Sequence, residues 1–450
     1  MTEVMRDVVV LGGGGAGLTA AYRLGKAGLS VTLIEKDNRL GGRTKSGRHN
    51  AVAYNSGTQF MLGDVGPVAD LRNELAVEVC ELDLQPMSMS MKGRYVEAGS
   101  DWMLALKLPM SLAAKVSLGW NMHRFTRQAA LLLDPAWVAA NQDRVAELDA
   151  TPYSRLLERM HPEARPFFDA LVGDFCGNSA DTVTAIGGMI STLAITPKFG
   201  RRLLGVNGND ALHAALADKS GAKFVQGATV TRVEALPDRV CVTYESGGKT
   251  ETIDARYVVS ALPADIVLKV FDDLPPEKVA ALENVNYGPF VTGVFLTNET
   301  CPAKWRNFSI LSVQDKSFNF VVNQSRPFAA KASADARGSA IFAMAVTDEA
   351  KRLAAMSTQE TKAVMTHDML NIFPEMAPFL EEVVVEKWSH GIPCLKPGAF
   401  ALTKARKAPH GRVWFAGDYV TDFNANLRSA IVSANDCASN IIRLIAVRAN

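Results

Sequence analysis

The 450-residue chain lacks the features that mark several protein classes. Its six cysteines are scattered with no C-x-x-C pair, so neither a disulfide framework nor a zinc site is expected. A net charge of +1 argues against a general nucleic-acid binder. We find no internal repeat, no low-complexity tract and no run of the ~18 uncharged apolar residues that predict a spanning helix. The scattered cysteines fit a reducing cytoplasm, where we expect the protein. Because Asp7 and early glycines interrupt the first apolar run, we expect no signal peptide.

The chain opens with an ordered succession of short patterns. The apolar run Val8–Leu11 predicts a buried strand of a parallel sheet. It is followed at once by the glycine-rich residues 12–17, which fit G-x-G-x-x-G, and then by a helical pattern that ends near Ala27. A second strand, Ser30–Ile34, ends at Glu35. This order predicts a βαβ unit that binds a dinucleotide.

Each residue type in this unit has a physical reason. Gly12 permits a tight turn, Gly14 lets the backbone approach a pyrophosphate, and Gly17 lets helix and strand pack closely. The helix N-terminus presents free N–H groups to the phosphates. Glu35, 18 residues beyond Gly17, can accept hydrogen bonds from a ribose 2′-hydroxyl, which disfavours NADP. A glycine-rich turn in another α/β protein is the alternative interpretation, and it explains this register less well.

Residues 39–43, Arg-Leu-Gly-Gly-Arg, follow the acidic strand end. Paired glycines allow close backbone approach, and arginine guanidinium groups suit phosphate oxygens. The element resembles the R-x-G-G-R motif of the superfamily that contains flavin amine oxidases, protoporphyrinogen oxidases and phytoene desaturases. The resemblance implies that the first unit binds the ADP half of FAD and that this loop lies near the pyrophosphate. A basic surface turn would explain Arg43 alone but not the whole element.

Three further segments resemble the same superfamily. The segment 54–60 is similar to the one that passes the isoalloxazine ring, with Asn55 in place of the usual acid, and its backbone or Gln59 could bond flavin N5 or O4. A helix, a β-meander and a buried strand ending at Pro263 follow in the family's order, with the Val230 backbone at the adenine. Near the end, residues 412–418 precede a helix from Leu427, capped by Asn424 or Asn426, whose N-terminus would face the flavin pyrimidine ring.

The resemblance therefore implies an α/β fold with FAD as the cofactor. A Rossmann-like FAD-binding domain, with a parallel sheet and a β-meander, is expected over 1–85, 203–285 and 403–450. An inserted α+β substrate domain is expected over 86–202, mainly helical, and 286–402. The residues expected at the cofactor are Gly12, Gly14, Gly15, Ala16, Gly17, Glu35, Lys36, Arg39, Gly42, Arg43, Gly57, Thr58, Gln59, Phe60, Val230, Pro263, Gly417, Asp418, Asn426 and Leu427.

Two departures separate this chain from many amine oxidases. The family's lysine near flavin N5 is replaced by Thr292 or Gly293, and its aromatic residue before the last helix is replaced by Asn426. Both argue against a simple primary-amine or polyamine oxidase. Proline five residues and glycine ten residues after Trp388 are more similar to the protoporphyrinogen oxidase branch.

Flavin chemistry needs no side-chain nucleophile, because the cofactor itself accepts a hydride. His390 and Trp388 are the only catalytic candidates, and both are weak. A surface or core histidine whose hydrogen bonds are all made within the protein is the favoured interpretation of His390. Cys394 could tether the flavin covalently, but a small buried apolar side chain is the favoured interpretation. No metal is expected.

The expected function is an FAD-dependent oxidoreductase that takes a hydride from a C–C or C–N bond of a bulky, largely apolar small molecule. The electrons would pass to O2 or another acceptor. An amine oxidase, a redox-neutral flavin isomerase and a non-catalytic flavin-binding protein are the alternatives. The apolar segment 102–120 could lie on a membrane surface, although a core helix or a cavity lid is favoured. A homodimer is left open.

Overall fold

The structure of the chain is a computed structural model. It describes residues 5–50, 52–62, 65–97, 107–196, 201–300, 303–329, 338–420 and 425–449. Asn424 and residues 102–106 of the apolar segment lie outside these ranges, so those two parts of the sequence predictions have no structural counterpart.

The strands are numbered in chain order. They are β1 (Arg6–Leu11), β2 (Val31–Ile34), β3 (Ser46–His49), β4 (Val52–Asn55), β5 (Met61–Leu62), β6 (Val79–Leu82), β7 (Met87–Met91), β8 (Arg94–Val96), β9 (Arg202–Gly205), β10 (Lys223–Val225), β11 (Ala228–Ala235), β12 (Val240–Ser246), β13 (Lys249–Ser260), β14 (Val285–Thr297), β15 (Ile310–Val313), β16 (Phe320–Asn323), β17 (Ala340–Ala345), β18 (Leu380–Leu395) and β19 (Val413–Phe415).

The α-helices are numbered in the same way. They are α1 (Gly15–Lys26), α2 (Pro67–Glu74), α3 (Leu112–Leu132), α4 (Pro135–Ala140), α5 (Gln142–Ala150), α6 (Tyr153–Leu157), α7 (Arg165–Cys176), α8 (Ala185–Ser191), α9 (Ala211–Ser220), α10 (Ala264–Val270), α11 (Pro276–Glu283), α12 (Arg326–Ala329), α13 (Thr347–Ala355), α14 (Thr358–Ile372), α15 (Thr403–Lys407) and α16 (Leu427–Ala449). Short 3₁₀ helices cover Thr192–Ile195, Lys304–Arg306 and Pro374–Phe379.

The first sheet confirms the Rossmann-like prediction. Its strand order is β10-β2-β1-β13-β12-β11, with β19 beside β13. Strands β10, β2, β1, β13 and β19 are parallel, whereas β11, β12 and β13 form the antiparallel meander. Residues 8–11 of β1 are completely buried because helices cover both faces of the sheet. Helices α1, α9 and α16 pack on one face, and α10 and α11 pack on the other.

The second sheet belongs to the α+β part of the molecule. Its strand order is β18-β14-β17-β16-β15-β7-β8, and its strand pairs are antiparallel except for β15 with β7. The helices α3 to α8 pack on one another around a core that includes Phe125 and Phe168. The predicted fold class is therefore confirmed, while the predicted residue bounds of the two domains stay a prediction.

The alternation of Met and Ser over residues 87–91 is typical of a strand, and strand β7 is found there. Ser88 and Ser90 are buried as well as the methionines, so both faces of the strand are covered. The residues before α9 predict Asn209 or Asp210 as its N-cap. Neither side chain caps the helix, and the Asn209 amide instead donates to the carbonyl oxygens of Thr58 and Gln59.

One face of helix α3 matches the favoured interpretation of a core helix, because Ala114 is buried and Leu118 packs against the helical core, but the other face does not. Leu112, Val116 and Trp120 are 77%, 64% and 66% exposed and follow one another at a spacing of four residues. They therefore form an apolar stripe on the surface rather than part of a core. Residues 107–120 do not line the large cavity described below, so a lid is not supported either.

One helix in the described ranges is long and apolar enough to cross a membrane, residues 427–447 of α16, with a mean hydropathy of 1.3. Its apolar face, which includes Ile431, Ala434 and Ile441, is packed into the core beside α1. The packing explains the composition of this helix without a membrane.

Candidate functional site

A cavity of about 640 Å³ is lined by residues from both large sheets. One end lies at the carboxyl ends of β1 and β2, where ligands bind in open α/β sheets. The other end is bounded by β14, β16, β17 and β18. The predicted residues that line it are Gly12, Gly14, Gly15, Ala16, Glu35, Lys36, Gly42, Arg43, Gly57, Thr58, Gln59, Phe60, Val230, Pro263, Trp388, His390, Gly417, Asp418, Asn426 and Leu427.

The glycine loop leaves open space where a pyrophosphate is expected. A Cβ added at Gly14 would have only the Gly42 Cα within 4 Å, at 3.9 Å. Gly42 has a φ of +54°, and a Cβ there would lie 3.1 Å from the Gly14 Cα. The two glycines thus make a cradle that side chains would fill, so these residues fit a dinucleotide. Gly17 does not line the cavity, because it packs against the Gly12 carbonyl as expected for close helix packing.

Glu35 at the end of β2 fixes the loop and faces the cavity. Its Oε2 accepts a hydrogen bond from the Gly13 N–H at 2.5 Å, and its Oε1 accepts one from the Asp37 N–H at 2.9 Å. A carboxylate has about four acceptor positions, so capacity for a ribose hydroxyl remains.

Arg39 is placed differently from the prediction. Its guanidinium donates to the carbonyl oxygens of Leu40 and Thr44, both at 3.2 Å, and to that of Gly42. Arg39 does not line the cavity. It therefore holds the shape of the loop from inside, and a direct phosphate contact is not supported.

Arg43 connects three distant segments at the middle of the cavity. Its Nη1 lies 2.7 Å from Asp418 Oδ2 and donates to the Gly391 carbonyl at 3.1 Å. Burial opposes the charge of the guanidinium, but the Asp418 carboxylate outweighs it and raises the pKa of Arg43. The side chain keeps 37% exposure because it faces the cavity. A fixed positive charge at this point suits an anionic ligand.

The loop predicted to pass the flavin is held by a buried amide network. Gln324 accepts from the Asn55 N–H at 2.7 Å and donates to Gln59 Oε1 at 2.9 Å. Gln59 donates to the carbonyl oxygens of Asn55 and Gly57. The Gln59 side chain is therefore bonded within the protein. Of the two groups predicted to bond the flavin, the backbone of this loop is the one that stays available.

The two positions compared with the family's lysine face opposite ways. Thr292 lines the cavity, and its hydroxyl donates to the Ser56 carbonyl at 2.7 Å. A Cβ at Gly293 would instead lie 3.0 Å from Cε of Met365 on α14. Lys387 lines the cavity on the neighbouring strand, but its ammonium donates to the carbonyl oxygens of Ala354 and Met356.

His390 is held at the cavity wall by a carboxylate. Its Nε2 lies 3.0 Å and 3.1 Å from the two oxygens of Asp265, and its Nδ1 lies 3.1 Å from Ser389 Oγ. The Tyr287 ring meets the imidazole edge to face, with centroids 4.9 Å apart. Both ring nitrogens have hydrogen-bond partners, so the structure favours a structural role for His390 over a role as a catalytic base. Trp388 lines the cavity with an indole N–H that has no hydrogen-bond partner among the described residues.

Cys394 lies away from the large cavity. It is buried beside Asp149 and Cys176 at a separate small cavity, and burial raises its pKa well above the ordinary value. The structure therefore favours a small buried side chain over a covalent flavin tether. Within the described ranges, no group of three or more His, Cys, Asp or Glu side chains could hold a metal ion.

Apart from Thr292, the residues of the distal half of the cavity were not predicted from the sequence. Its walls are mainly aromatic and apolar, and they come from α7 and from the strands of the second sheet. The residues are Asp174, Phe175, Tyr287, Phe290, Thr292, Phe320, Met344 and Ile392. Phe290 and Thr292 share one face of β14 because side chains two apart on a strand point the same way. The spacing of these two residues was the one feature of the sequence that could have predicted this wall of the cavity.

Most of the chain is similar in sequence to a family of known proteins. Residues 16–442 match the profile of the family described as flavin containing amine oxidoreductase. An L-amino-acid oxidase of Echis ocellatus is 22% identical over 97% of this chain and 89% of its own length. Another, from Siganus canaliculatus, is 27% identical over 96% of this chain and 85% of its own.

Solved structures of oxidases share the fold. A putrescine oxidase with putrescine bound superposes with a TM-score of 0.79 at 18% identity, covering 98% of this chain and 99% of that one. The cyclohexylamine oxidase of Brevibacterium oxydans IH-35A gives a TM-score of 0.80 at 18% identity, covering 98% and 100% of the two chains.

Proposed function

Because the chain belongs to the flavin-containing amine oxidoreductase family, we propose that it oxidises bulky, largely apolar amines at the carbon beside the nitrogen. The chain is an FAD-dependent oxidoreductase. FAD supplies the hydride-accepting N5 and passes the electrons to O2 or another acceptor. The observation that carries the proposal is one continuous cavity, with a nucleotide-binding glycine loop at one end and an aromatic pocket at the other.

The aromatic pocket supports the substrate class. Phe290, Phe320, Met344 and Trp388 present apolar surface to the cavity. Such walls favour an apolar substrate body, since burying it releases water. They also keep water away from the reacting carbon, which strengthens electrostatic interactions in the pocket.

The start of α16 supports electron transfer to the cofactor. Asn426 and Leu427 line the cavity, and Asn426 Oδ1 accepts from the Ser429 N–H at 3.1 Å, which caps the helix as predicted. The remaining N–H groups and the positive end of the helix dipole favour negative charge nearby.

Anaerobic flavin bleaching tests the proposal directly. The purified yellow protein is mixed with arylalkylamines, aromatic L-amino acids, hydroaromatics, porphyrinogens and polyenes, with free FAD as the control. We expect an amine to bleach the flavin, and to release peroxide and ammonia once O2 is admitted. Bleaching by a polyene or a porphyrinogen, with every amine inert, would overturn the amine assignment.

We also propose that the stripe Leu112, Val116 and Trp120 on α3 contacts a membrane surface. Exposed basic side chains, Arg124 and Arg127, follow on the same helix. An exposed apolar stripe beside positive charges suits the interface of an anionic bilayer. A cytoplasmic location and a homodimer remain predictions.

Vesicle co-sedimentation tests the membrane contact. We expect binding to phosphatidylserine-containing vesicles that weakens with salt, and loss of binding when Leu112, Val116 and Trp120 are all changed to Ser. Val65→Ser is the control, because Val65 is 79% exposed elsewhere on the surface. Absence of vesicle binding by the parent protein at low salt would exclude the contact.

A further inference from the structure

Asp174 is an acid without a partner in an otherwise apolar part of the cavity. It lies in the last turn of α7 and lines the cavity, and its Oδ1 is buried with no hydrogen-bond partner in the described part of the chain. In the described ranges, no Lys, Arg or His forms an ion pair with it. Two other carboxylates at the cavity are engaged, Glu35 by backbone N–H groups and Asp418 by Arg43.

The surroundings of Asp174 do not explain its presence. The end of α7 packs against the second sheet, since a Cβ at Gly177 would lie 2.7 Å from Ile392 Cγ2 and 3.1 Å from Phe290 Cε1. Burial raises the pKa of Asp174 well above its usual range, and no neighbouring cation opposes this. Retaining an unpaired carboxyl among such side chains costs free energy, so an apolar residue would stabilise the fold better.

We propose that Asp174 is the binding group for the ammonium of the substrate, and that it selects amines without a carboxylate over α-amino acids. This rests on the proposed function, and it adds the residue that recognises the charge. A cation completes the unpaired carboxyl, while Phe175 and Phe290 beside it supply aromatic surface that cations also favour. An α-amino acid would bring a second carboxylate close to Asp174, which like-charge repulsion disfavours.

The position of Asp174 fits a specificity role. It stands on a helix rather than on a loop, so its carboxyl is held in a fixed direction. Arg43 and Lys387, the basic side chains considered above, are bound to Asp418 and to backbone carbonyls. The eight distal residues named above therefore include one carboxyl, Asp174, whose ionised form an incoming cation would favour, and no Lys or Arg that could pair with a substrate carboxylate.

Equilibrium binding to the oxidised holoenzyme tests the proposal without turnover. Benzyltrimethylammonium is the cationic probe, because it has no nitrogen lone pair and cannot be oxidised as an amine, and benzyl alcohol is the neutral probe. We expect Asp174→Asn to weaken binding of the cation by about tenfold or more, while binding of the alcohol changes by less than about threefold. Equal effects on both probes, or none on the cation, would overturn the role.

Asp169→Asn is the matched control. Asp169 lies on the same helix but is 43% exposed and paired with Arg165 at 3.4 Å. Removing its charge should leave binding of both probes as in the parent. If Asp169→Asn weakened cation binding as much as Asp174→Asn, the loss would reflect the overall electrostatic potential of the protein and not a contact between Asp174 and the cation.

Stability and kinetics separate the remaining explanations. Asp174→Leu should fold with an unchanged or higher Tm, because the carboxyl does not hold the fold together; a large decrease in Tm would show a structural role instead. For the parent, kcat/KM should be higher for phenethylamine than for phenylalanine, and Asp174→Asn should reduce that ratio mainly through KM. If no amine is oxidised at all, the proposed function fails, yet the probe titrations still decide the role of Asp174.

Discussion

Gly14, at the N-cap of α1, and Gly17, in its first turn, lie three residues apart but face different surroundings. A side chain at Gly14 would extend into the cavity, whereas one at Gly17 would overlap the Gly12 carbonyl. We therefore expect Gly14→Val to fold and lose FAD, and Gly17→Val to lose the fold itself. Circular dichroism and the flavin content of the purified proteins measure the two outcomes. A Gly14→Val protein that purifies with stoichiometric FAD would contradict the placement of the pyrophosphate.

His213 makes stability depend on pH. It is buried on α9 next to Gly15, and burial lowers its pKa to about 4 from the ordinary 6.5. Below pH 6.5 the unfolded chain takes up a proton that the folded chain refuses, so the free energy of unfolding falls as the pH drops towards 4. Above pH 6.5 the residue is neutral in both states and has no effect. The loss amounts to about 1.4 kcal/mol for each pH unit in this window.

His213→Leu should remove this contribution. Between pH 7.5 and 5.0 the parent should lose about 2 kcal/mol more stability than the variant, as measured by urea unfolding with saturating FAD. His123→Gln, at an exposed position on α3, serves as the control and should behave like the parent. Parallel pH curves for parent and His213→Leu would show that His213 does not titrate in this way.

At the scale of elements, α16 holds the loop that carries Asp418. Ser433 Oγ accepts from the Gly417 N–H at 3.0 Å and donates its one proton to the carbonyl of Gly417 or Ala430, at 3.1 and 3.0 Å. All three contacts are buried. The helix thus fixes the backbone next to the Asp418–Arg43 pair, so packing on the first sheet is coupled to the geometry of the cavity.

Ser433→Ala should lower both stability and FAD affinity. It leaves the Gly417 N–H buried without a partner, which costs about 1–3 kcal/mol. Urea unfolding of the apoprotein and an FAD titration measure the two effects. Ser439→Ala, an exposed position on the same helix, should change neither. If Ser433→Ala matched that control in both measurements, the hydrogen bonds to Gly417 would have no role in holding the loop.

Elements with local causes could be predicted from the sequence. The burial of β1, the glycines that follow it and the helix that they open depend on neighbouring residues, and these elements are found where expected. The pairing of Arg43 with Asp418 and the network of Asn209 with Thr58 and Gln59 join residues far apart in the chain. No local pattern contains such partners, so Arg39, Asn209 and Gln59 were given partners other than their actual ones.

At the scale of the whole molecule, the cavity too could be predicted only where its residues are close together in the sequence. The nucleotide end was predictable because one βαβ unit supplies most of it. The distal pocket is assembled from α7, β14, β16 and β17, whose residues become neighbours only when the second sheet forms. No sequence pattern therefore pointed to Asp174, and only the folded structure shows that its carboxyl lies unpaired at the cavity.

Cofactor binding should stabilise distant parts of the chain together. The loop after β1, the start of β11 and the start of α16 line one cavity, so FAD that spans it contacts all three. A ligand that binds only the folded state at 1,000 times its Kd adds about 4 kcal/mol of stability. We expect hydrogen exchange to slow in all three segments with FAD, but only in the first two with ADP, because ADP lacks the flavin half. Gly14→Val with added FAD is the control and should show no protection. Protection by FAD confined to the glycine loop would mean that the closing helix does not share the cofactor site, and the shared cavity would then not be a single FAD site.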